Sequence, residues 1–300
     1  TFDPAVLSEI TELHHYDSWD DRAGRSCEIQ IKKGIELFRI RLYGRPIRKQ
    51  APGEMTIDTA CNQIVKEFRS RPTLRAGSLI TTVFGDSIAP RGGTVWLGSL
   101  IRAMAEFGVS ERLVRTSVFR LVKDGWRQSS QVGRRSFYSL TNEGRERFRA
   151  ATHRIYGEPV TDWDGDWCLL LLSNLEAPAK DVLRRECGWL GFGPLSANVL
   201  AHPSPDESDL ELTLKRVGAG DDVVIMSART MRSDAPMRAL ARSAWNLDDI
   251  DARYEKFVTM FRPLFAALKT TRKVDPRTAF VTRTLLIQEY RKVLLRDPQL

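Results

Sequence analysis

The stretch ERLVRTSVFRLVKDGWRQSSQVGRRSFYSL, residues 111–140, decides the fold of this chain. At about 100° per residue, its first half predicts an amphipathic helix with aliphatic side chains such as Val114 and Val118 on one face. Ser110 suits the N-cap of this helix, and Gly125 suits its C-terminal stop. The opposite face carries the side chains of Arg112, Arg115, Thr116, Phe119, Arg120 and Lys123.

The residues before this helix extend it into a larger motif. Leu97, Leu100 and Met104 lie at helical spacing, and Gly108 provides a short turn into Ser110. Two helices joined by a tight turn that contains Gly are typical of a helix-turn-helix. The segment therefore predicts a helix-turn-helix whose second helix has a basic face.

The residues after Gly125 change their period from helical to alternating. WRQSSQ (126–131) and SFYSL (136–140) read as two strands joined by a turn over residues 132–135. A hairpin that directly follows the second helix predicts a winged helix-turn-helix. Thr141 then caps a further helix that is rich in Arg.

The positive charge of the chain lies in this same region. The formal net charge is +8. Residues 72–157 contain 14 Lys and Arg against 6 Asp and Glu, so this segment accounts for the whole excess. A basic domain on a neutral remainder indicates an anionic partner that this domain binds.

Duplex DNA fits the chemistry of the segment, because a helix enters the major groove and Arg pairs with guanine there. We expect Arg112, Arg115, Thr116 and Arg120 at base edges and Lys123 at a phosphate. Thr116 and Phe119 are also candidates for contact with a thymine methyl group or a sugar, and for Phe119 the alternative is packing against the hairpin. The hairpin tip presents Arg134 and Arg135 to phosphates or to a minor groove. A solvated basic helix without a ligand is the alternative.

Several other classes of function have no sequence signal. Cys27, Cys61, Cys168 and Cys187 lack metal-type spacing, and the four His form no ligand pattern, so we expect reduced thiols and no metal. There is no P-loop and no nucleophile elbow. No apolar run approaches the roughly 18 residues of a membrane span, and no signal peptide is apparent. We expect a cytoplasmic protein that is not an enzyme.

The rest of the chain predicts a second and a third domain. The order strand, helix, hairpin, helix and strand over residues 166–229, with a turn that contains Gly193 and Pro194, is typical of a ferredoxin-like domain. The C-terminal third is helical, and its apolar stripe serves either the core or a dimer contact. The members of that stripe are Ile250, Tyr254, Phe257, Phe261, Leu264 and Leu268.

The motifs FGD (84–86), RGG (91–93), WLGSL (96–100) and RLVRTSVFRL (112–121) together resemble the PaaX-type repressors of phenylacetic acid catabolism. The likeness returns in LLIQEYRKVLLRDPQL (285–300) and covers roughly residues 55–300. Residues 1–54 have no counterpart in the family. Their strand-like segment either forms a hairpin or belongs to a poorly ordered extension or an early start codon.

The resemblance implies a repressor of an aromatic acid catabolic operon that an aryl-acyl-CoA releases from its operator, with phenylacetyl-CoA in the type case. A homodimer on a two-fold-related operator is the simplest assembly. The resemblance also implies a central domain like the ferredoxin-fold nucleases of CRISPR systems. Those nucleases carry an Asp at the end of the first strand, where this chain has Ser173 and Asn174.

The predicted fold is therefore α+β. A winged helix-turn-helix over residues 55–157 is followed by a ferredoxin-like domain over 158–235 and a helical domain over 236–300. The alternatives to a ligand-responsive repressor are a ferredoxin-fold nucleic-acid-processing enzyme fused to a DNA-binding domain, and an architectural DNA binder without effector. The effector-binding residues are not identifiable. Four possible phosphate partners, each of which is also an ordinary candidate for surface charge, are Arg184, Arg185, Arg283 and Arg291.

Overall fold

A computed structural model describes three N-terminal strands and residues 55–71, 75–156, 165–231, 234–270 and 274–298. The chain divides into two compact units. The first combines residues 1–156 with 256–291, and the second combines residues 157–255 with 292–300. Helices and antiparallel sheets occur in both units, which confirms the α+β class.

The N-terminal strands β1 (Glu12–His14), β2 (Ser26–Lys33) and β3 (Glu36–Tyr43) form an antiparallel sheet in that order. Ser26 pairs with Tyr43 and Lys33 with Glu36. The backbone thus follows the hairpin alternative for this segment. The other residues of the predicted extension 1–54 lie outside the described residues.

The next elements of the first unit are α1 (Ile57–Arg69), α2 (Ala76–Val83), β4 (Thr94–Trp96), α3 (Leu97–Ala105) and α4 (Glu111–Lys123). A π-helical turn, Phe84–Ile88, follows α2. α3 and α4 are joined through Gly108, whose φ of 76° lies in the left-handed region that favours Gly. The predicted apolar residues Leu100, Met104, Val114 and Val118 are buried.

A hairpin and a helix complete this region. The strands β5 (Arg127–Val132) and β6 (Arg135–Leu140) form a three-stranded sheet with β4 in the order β4-β6-β5. The next helix is α5 (Asn142–Tyr156). The Thr141 hydroxyl accepts from the backbone N–H of Gly144 at 2.9 Å, which confirms the predicted cap, and it donates to the Gly125 carbonyl at 2.7 Å.

The second unit contains β7 (Asp166–Leu171), α6 (Ala177–Trp189), β8 (Gly193–Ser196), β9 (Val199–His202), α7 (Glu207–Val217) and β10 (Val224–Arg229). Its four strands are all antiparallel, in the order β10-β7-β9-β8. Buried Leu170, Leu183 and Leu214 pack between this sheet and its helices.

The expected Gly-Pro turn in the β8–β9 hairpin is wrong. The chain turns at Ala197 and Asn198, and Pro194 lies inside β8. β8 is an edge strand of the sheet. An edge strand tolerates Pro because no partner requires the missing N–H on its outer side.

The C-terminal helices are α8 (Asp234–Ala244), α9 (Leu247–Thr270) and α10 (Pro276–Leu294). Residues 256–291 cluster with the first unit and residues 236–255 with the second, so the segment 236–300 forms no compact unit of its own. The reason is that residues 279–288 of α10 are buried on every side. A helix that is buried on every side, with polar side chains such as Arg283 and Gln288 among the apolar ones, requires packing partners all round.

The apolar stripe of α9 serves the core. Ile250, Phe257, Phe261 and Leu264 are buried. The Phe257 ring centroid lies 4.9 Å from that of Phe261 and 5.7 Å from that of Tyr290 on α10. α9 continues as a helix through Pro263. These contacts favour core burial over the dimer alternative for this stripe.

A buried ion pair connects α10 to the π-helical turn. Arg283 donates from Nε to Asp86 Oδ2 at 2.8 Å and from Nη2 to Oδ1 at 2.7 Å. The Tyr156 hydroxyl also donates to Oδ1, at 2.7 Å. Arg283 is 3% exposed and Asp86 4%, so Arg283 is not the surface charge that it was expected to be. Burial opposes the charge of Arg283, but the carboxylate of Asp86 outweighs it and raises the pKa of the guanidinium.

We predict that Asp86→Ala lowers the free energy of unfolding by about 3–5 kcal/mol, because it leaves an uncompensated buried cation. The double variant Asp86→Leu with Arg283→Met should recover most of that loss. Urea unfolding of the three proteins measures both effects. A cost for Asp86→Ala below about 1 kcal/mol, as in an exposed pair, would contradict the burial of this pair.

Candidate nucleic-acid interface

The six side chains predicted on the basic face of the second helix all lie on the exposed side of α4. Ser110 caps this helix, since its hydroxyl accepts from the backbone N–H of Leu113 at 3.4 Å. Buried Val114 and Val118 hold the other side of α4 against the core of the unit. The exposed set comprises Arg112, Arg115, Thr116, Phe119, Arg120 and Lys123.

An acidic neighbour positions Arg115 on this face. Arg115 donates from Nε at 2.8 Å and from Nη2 at 2.7 Å to Oε1 of Glu111. This ion pair occupies one edge of the guanidinium, and the end edge formed by Nη1 and Nη2 remains available for a base. Glu111 was not among the predicted site residues, although its spacing of four residues from Arg115 indicates a helical ion pair.

The middle of the same face presents apolar groups. The Thr116 hydroxyl donates to the Arg112 carbonyl at 2.9 Å, so its methyl group is the part left to face outward. The Phe119 side chain is 69% exposed. Such exposure contradicts the alternative in which this ring packs against the hairpin.

The two arginines of the hairpin tip occupy different positions. Arg134 lies with Gly133 in the two-residue turn, where Gly133 has a φ of 59°. Arg135 begins β6, and its guanidinium carbon lies 5.0 Å from the centroid of the Trp96 ring. Such a cation–π contact holds Arg135 on the sheet. Arg134 is therefore the arginine that extends furthest along the hairpin.

Trp96 joins α3 to the hairpin. The Arg102 guanidinium also lies over its ring, at 5.4 Å. A Cβ atom at Gly98 would come within 2.6 Å of the same ring, so only Gly fits there without a shift. This packing keeps the hairpin next to the first turn of α3.

Arg127 belongs to the core instead of the basic surface. It is 1% exposed, and its guanidinium carbon lies 4.2 Å from the centroid of the Phe84 ring. Nη2 is 3.5 Å from the Thr81 hydroxyl, whereas Nε and Nη1 have no hydrogen-bond partner among the described residues. Burial lowers the pKa of Arg127 to about 9. Counting charges along the sequence cannot separate such a residue from the interface.

We predict that Arg127→Met raises the free energy of unfolding by about 1–3 kcal/mol at pH 7, because it removes a poorly compensated buried cation. Between the native pKa of about 9 and the higher, ordinary pKa of an arginine in the unfolded state, the unfolded state binds more protons. The free energy of unfolding of the wild type therefore rises with pH in that window. The difference in free energy of unfolding between Arg127→Met and wild type becomes smaller. Urea unfolding of both proteins at pH 7 and pH 10 measures this; destabilisation at pH 7 would contradict it.

The cysteine thiols are poor nucleophiles. Burial raises the pKa of Cys187 to about 12, with the neighbouring Glu186 as a further cause. Burial also raises the pKa values of Cys61 and Cys168. A thiol must ionise to attack, so none of these three is suited to nucleophilic catalysis.

The described residues include neither a metal-ligand cluster nor a helix that could span a membrane. They contain no group of three or more His, Cys, Asp and Glu side chains that could hold a metal ion. None of their helices combines the length and the apolar character needed to cross a bilayer.

Three family models match the chain in the order of the three predicted domains. A model described as PaaX-like protein matches residues 75–144. The PaaX protein central Cas2-like domain matches residues 160–240. The PaaX-like protein C-terminal domain matches residues 245–300.

A curated protein and a solved structure are also similar. The transcriptional repressor PaaX of Escherichia coli is 40% identical over 226 residues, which cover 74% of this chain and 72% of that protein. An uncharacterized protein from Mycobacterium tuberculosis is 22% identical, with 75% of this chain and 97% of that chain covered and a TM-score of 0.39.

Proposed function

This chain belongs to the family of PaaX-like proteins, and we propose that it is a transcriptional repressor that binds operator DNA. The observation that carries this proposal is the exposed face of α4, which lies directly before an arginine-tipped hairpin in the segment that holds the net charge of the chain. We assign α3, α4 and the β5–β6 hairpin to a winged helix-turn-helix and the β7–β10 sheet with its helices to a ferredoxin-like domain.

In this proposal α4 enters the major groove. Arg112 and Arg120 face base edges, and the free edge of Arg115 pairs with a guanine. Lys123 meets a phosphate at the end of the helix. Arg134 contacts the backbone or an adjacent minor groove from the hairpin, with Arg135 behind it on Trp96.

A homodimer on a two-fold-related operator completes the proposal, and β10 offers a surface for it. β10 is an edge strand of its sheet, and it exposes Val224, Ile225 and Met226. The opposite edge, β8, carries Pro194 and a register shift, both of which discourage further strand pairing. The β10 edge is open to pairing and the β8 edge is protected. Pairing of β10 with β10 of a second copy therefore forms a dimer that cannot extend into a longer assembly.

We predict that Ile225→Lys converts a dimer into a monomer, because it would place a charge on each of the two paired strands, inside the apolar contact between them. Sedimentation velocity measures the assembly. Val182→Lys is the matched control, since Val182 is an exposed aliphatic residue on α6 of the same unit. A wild-type monomer, or an Ile225→Lys dimer, would overturn the β10 interface.

We further propose that the operator controls an aromatic acid catabolic operon and that an aryl-acyl-CoA such as phenylacetyl-CoA releases the protein. Such an effector must bind the operator-incompetent state more tightly than the operator-bound one. The α2–α10 contact supports a mechanical route. The Thr82 hydroxyl donates to Gln288 Oε1 at 2.6 Å, and Arg291 Nη2 donates to the Ser78 carbonyl at 2.9 Å. A shift of α10 would therefore displace α2, which packs against α4.

The test uses the full chain and fluorescence anisotropy at fixed salt. We expect tight binding to duplexes from its own upstream DNA that excess competitor DNA does not abolish. Phenylacetyl-CoA should release the protein, whereas acetyl-CoA and free phenylacetate should not. Absence of sequence-specific binding would overturn the repressor proposal. Specific binding that ignores phenylacetyl-CoA would remove only the effector assignment.

A further inference from the structure

The centre of the α4 face differs chemically from its rim. At about 100° per residue, Phe119 lies between Arg115 and Thr116 around the helix axis. Arg115 and Arg120 flank the face on its two sides, and Arg112 and Lys123 lie at its two ends, one turn before Thr116 and one turn after Phe119. The middle two turns present the Phe119 ring and the Thr116 methyl group between these four cations. When a helix lies in the major groove, the middle of its face lies closest to the base pairs, and long arginine side chains reach base edges from the outer positions.

Two observations make this apolar centre available to a ligand. Phe119 is 69% exposed, and the core behind α4 is already filled by Val114 and Val118. Independently, the Thr116 hydroxyl donates its proton to the Arg112 carbonyl, so this exposed side chain has no donor left for a base and can make an apolar contact through its methyl group. The helix thus offers two neighbouring carbon surfaces at the point where hydrogen-bonding side chains would be expected.

In the major groove, one base presents a carbon group to such a surface. Thymine carries a methyl group at C5, which apolar side chains including Phe and the Thr methyl contact. We propose that Phe119 and Thr116 read thymine methyl groups in the operator half-site. This inference rests on the proposed operator binding and adds the base class that the middle of α4 selects.

The experiment removes the methyl group alone. The full chain first selects duplexes from a randomised library. Each thymine of the enriched sequence is then replaced in turn by deoxyuridine, which keeps the base pair. We expect affinity to fall about three- to fivefold at one or two thymines in each half-site, the effect of one buried methyl group. Phe119→Ala should bind more weakly than wild type and should no longer distinguish thymine from deoxyuridine at one of these positions.

Two further variants separate methyl contact from other effects. Arg134→Ala should weaken binding to both duplexes by the same factor and keep the sensitivity to deoxyuridine, because Arg134 acts on the backbone. Phe119→Leu should retain part of the discrimination, since it keeps an apolar surface. Phe119 is exposed, so the unfolding transitions of these proteins should coincide with that of wild type.

The outcomes distinguish this inference from the proposed function. If library selection yields no preferred sequence, both the repressor proposal and the inference fall. If a sequence is enriched but deoxyuridine costs wild type nothing, the thymine assignment is wrong and the repressor proposal stands. The same holds if Phe119→Ala loses affinity yet remains as sensitive to deoxyuridine as wild type, which would place the ring on a sugar.

Discussion

The pair between Arg283 and Asp86 is the constraint on which the first unit depends. It joins positions 197 residues apart in the sequence, and the Tyr156 hydroxyl adds the end of α5 to the same carboxylate. A charge in a protein interior is tolerated when a partner and good hydrogen bonds compensate its desolvation. This pair therefore holds helix α10 in the first unit, because removal of α10 would leave Asp86 buried without its cation.

The burial of α10 explains why the C-terminal segment does not cluster by itself. Its middle is enclosed, and its polar side chains find partners on α1 and α2. Thr278 donates to Asp58 at 2.9 Å, and Gln288 contacts Thr82 and Ser78. Arg291 is half-buried and donates to the Ser78 carbonyl and hydroxyl, and burial lowers its pKa to about 10. In the proposed release by an effector, α10 is the element whose shift would displace α2.

The basic excess of residues 72–157 has several roles in the folded unit. Part of it lies on the exposed face of α4 and at the hairpin turn, where it suits an anionic partner. Arg135 and Arg102 are held over Trp96, and Arg127 lies over Phe84 in the core. The net charge of this segment predicted which domain binds an anionic partner. Tertiary packing decides which of its basic side chains are exposed to that partner.

The local features of this chain followed from its sequence. The period of residues 111–123, the cap at Ser110 and the stop at Gly125 predicted α4 and its exposed face, because neighbours three and four apart decide them. The alternation after Gly125 predicted the hairpin, and the βαββαβ order of the second unit was readable for the same reason. The burial of Arg127 and the partners of Arg283 were decided by the tertiary structure alone. They depend on which distant segments pack together, and local periodicity carries no information about that choice.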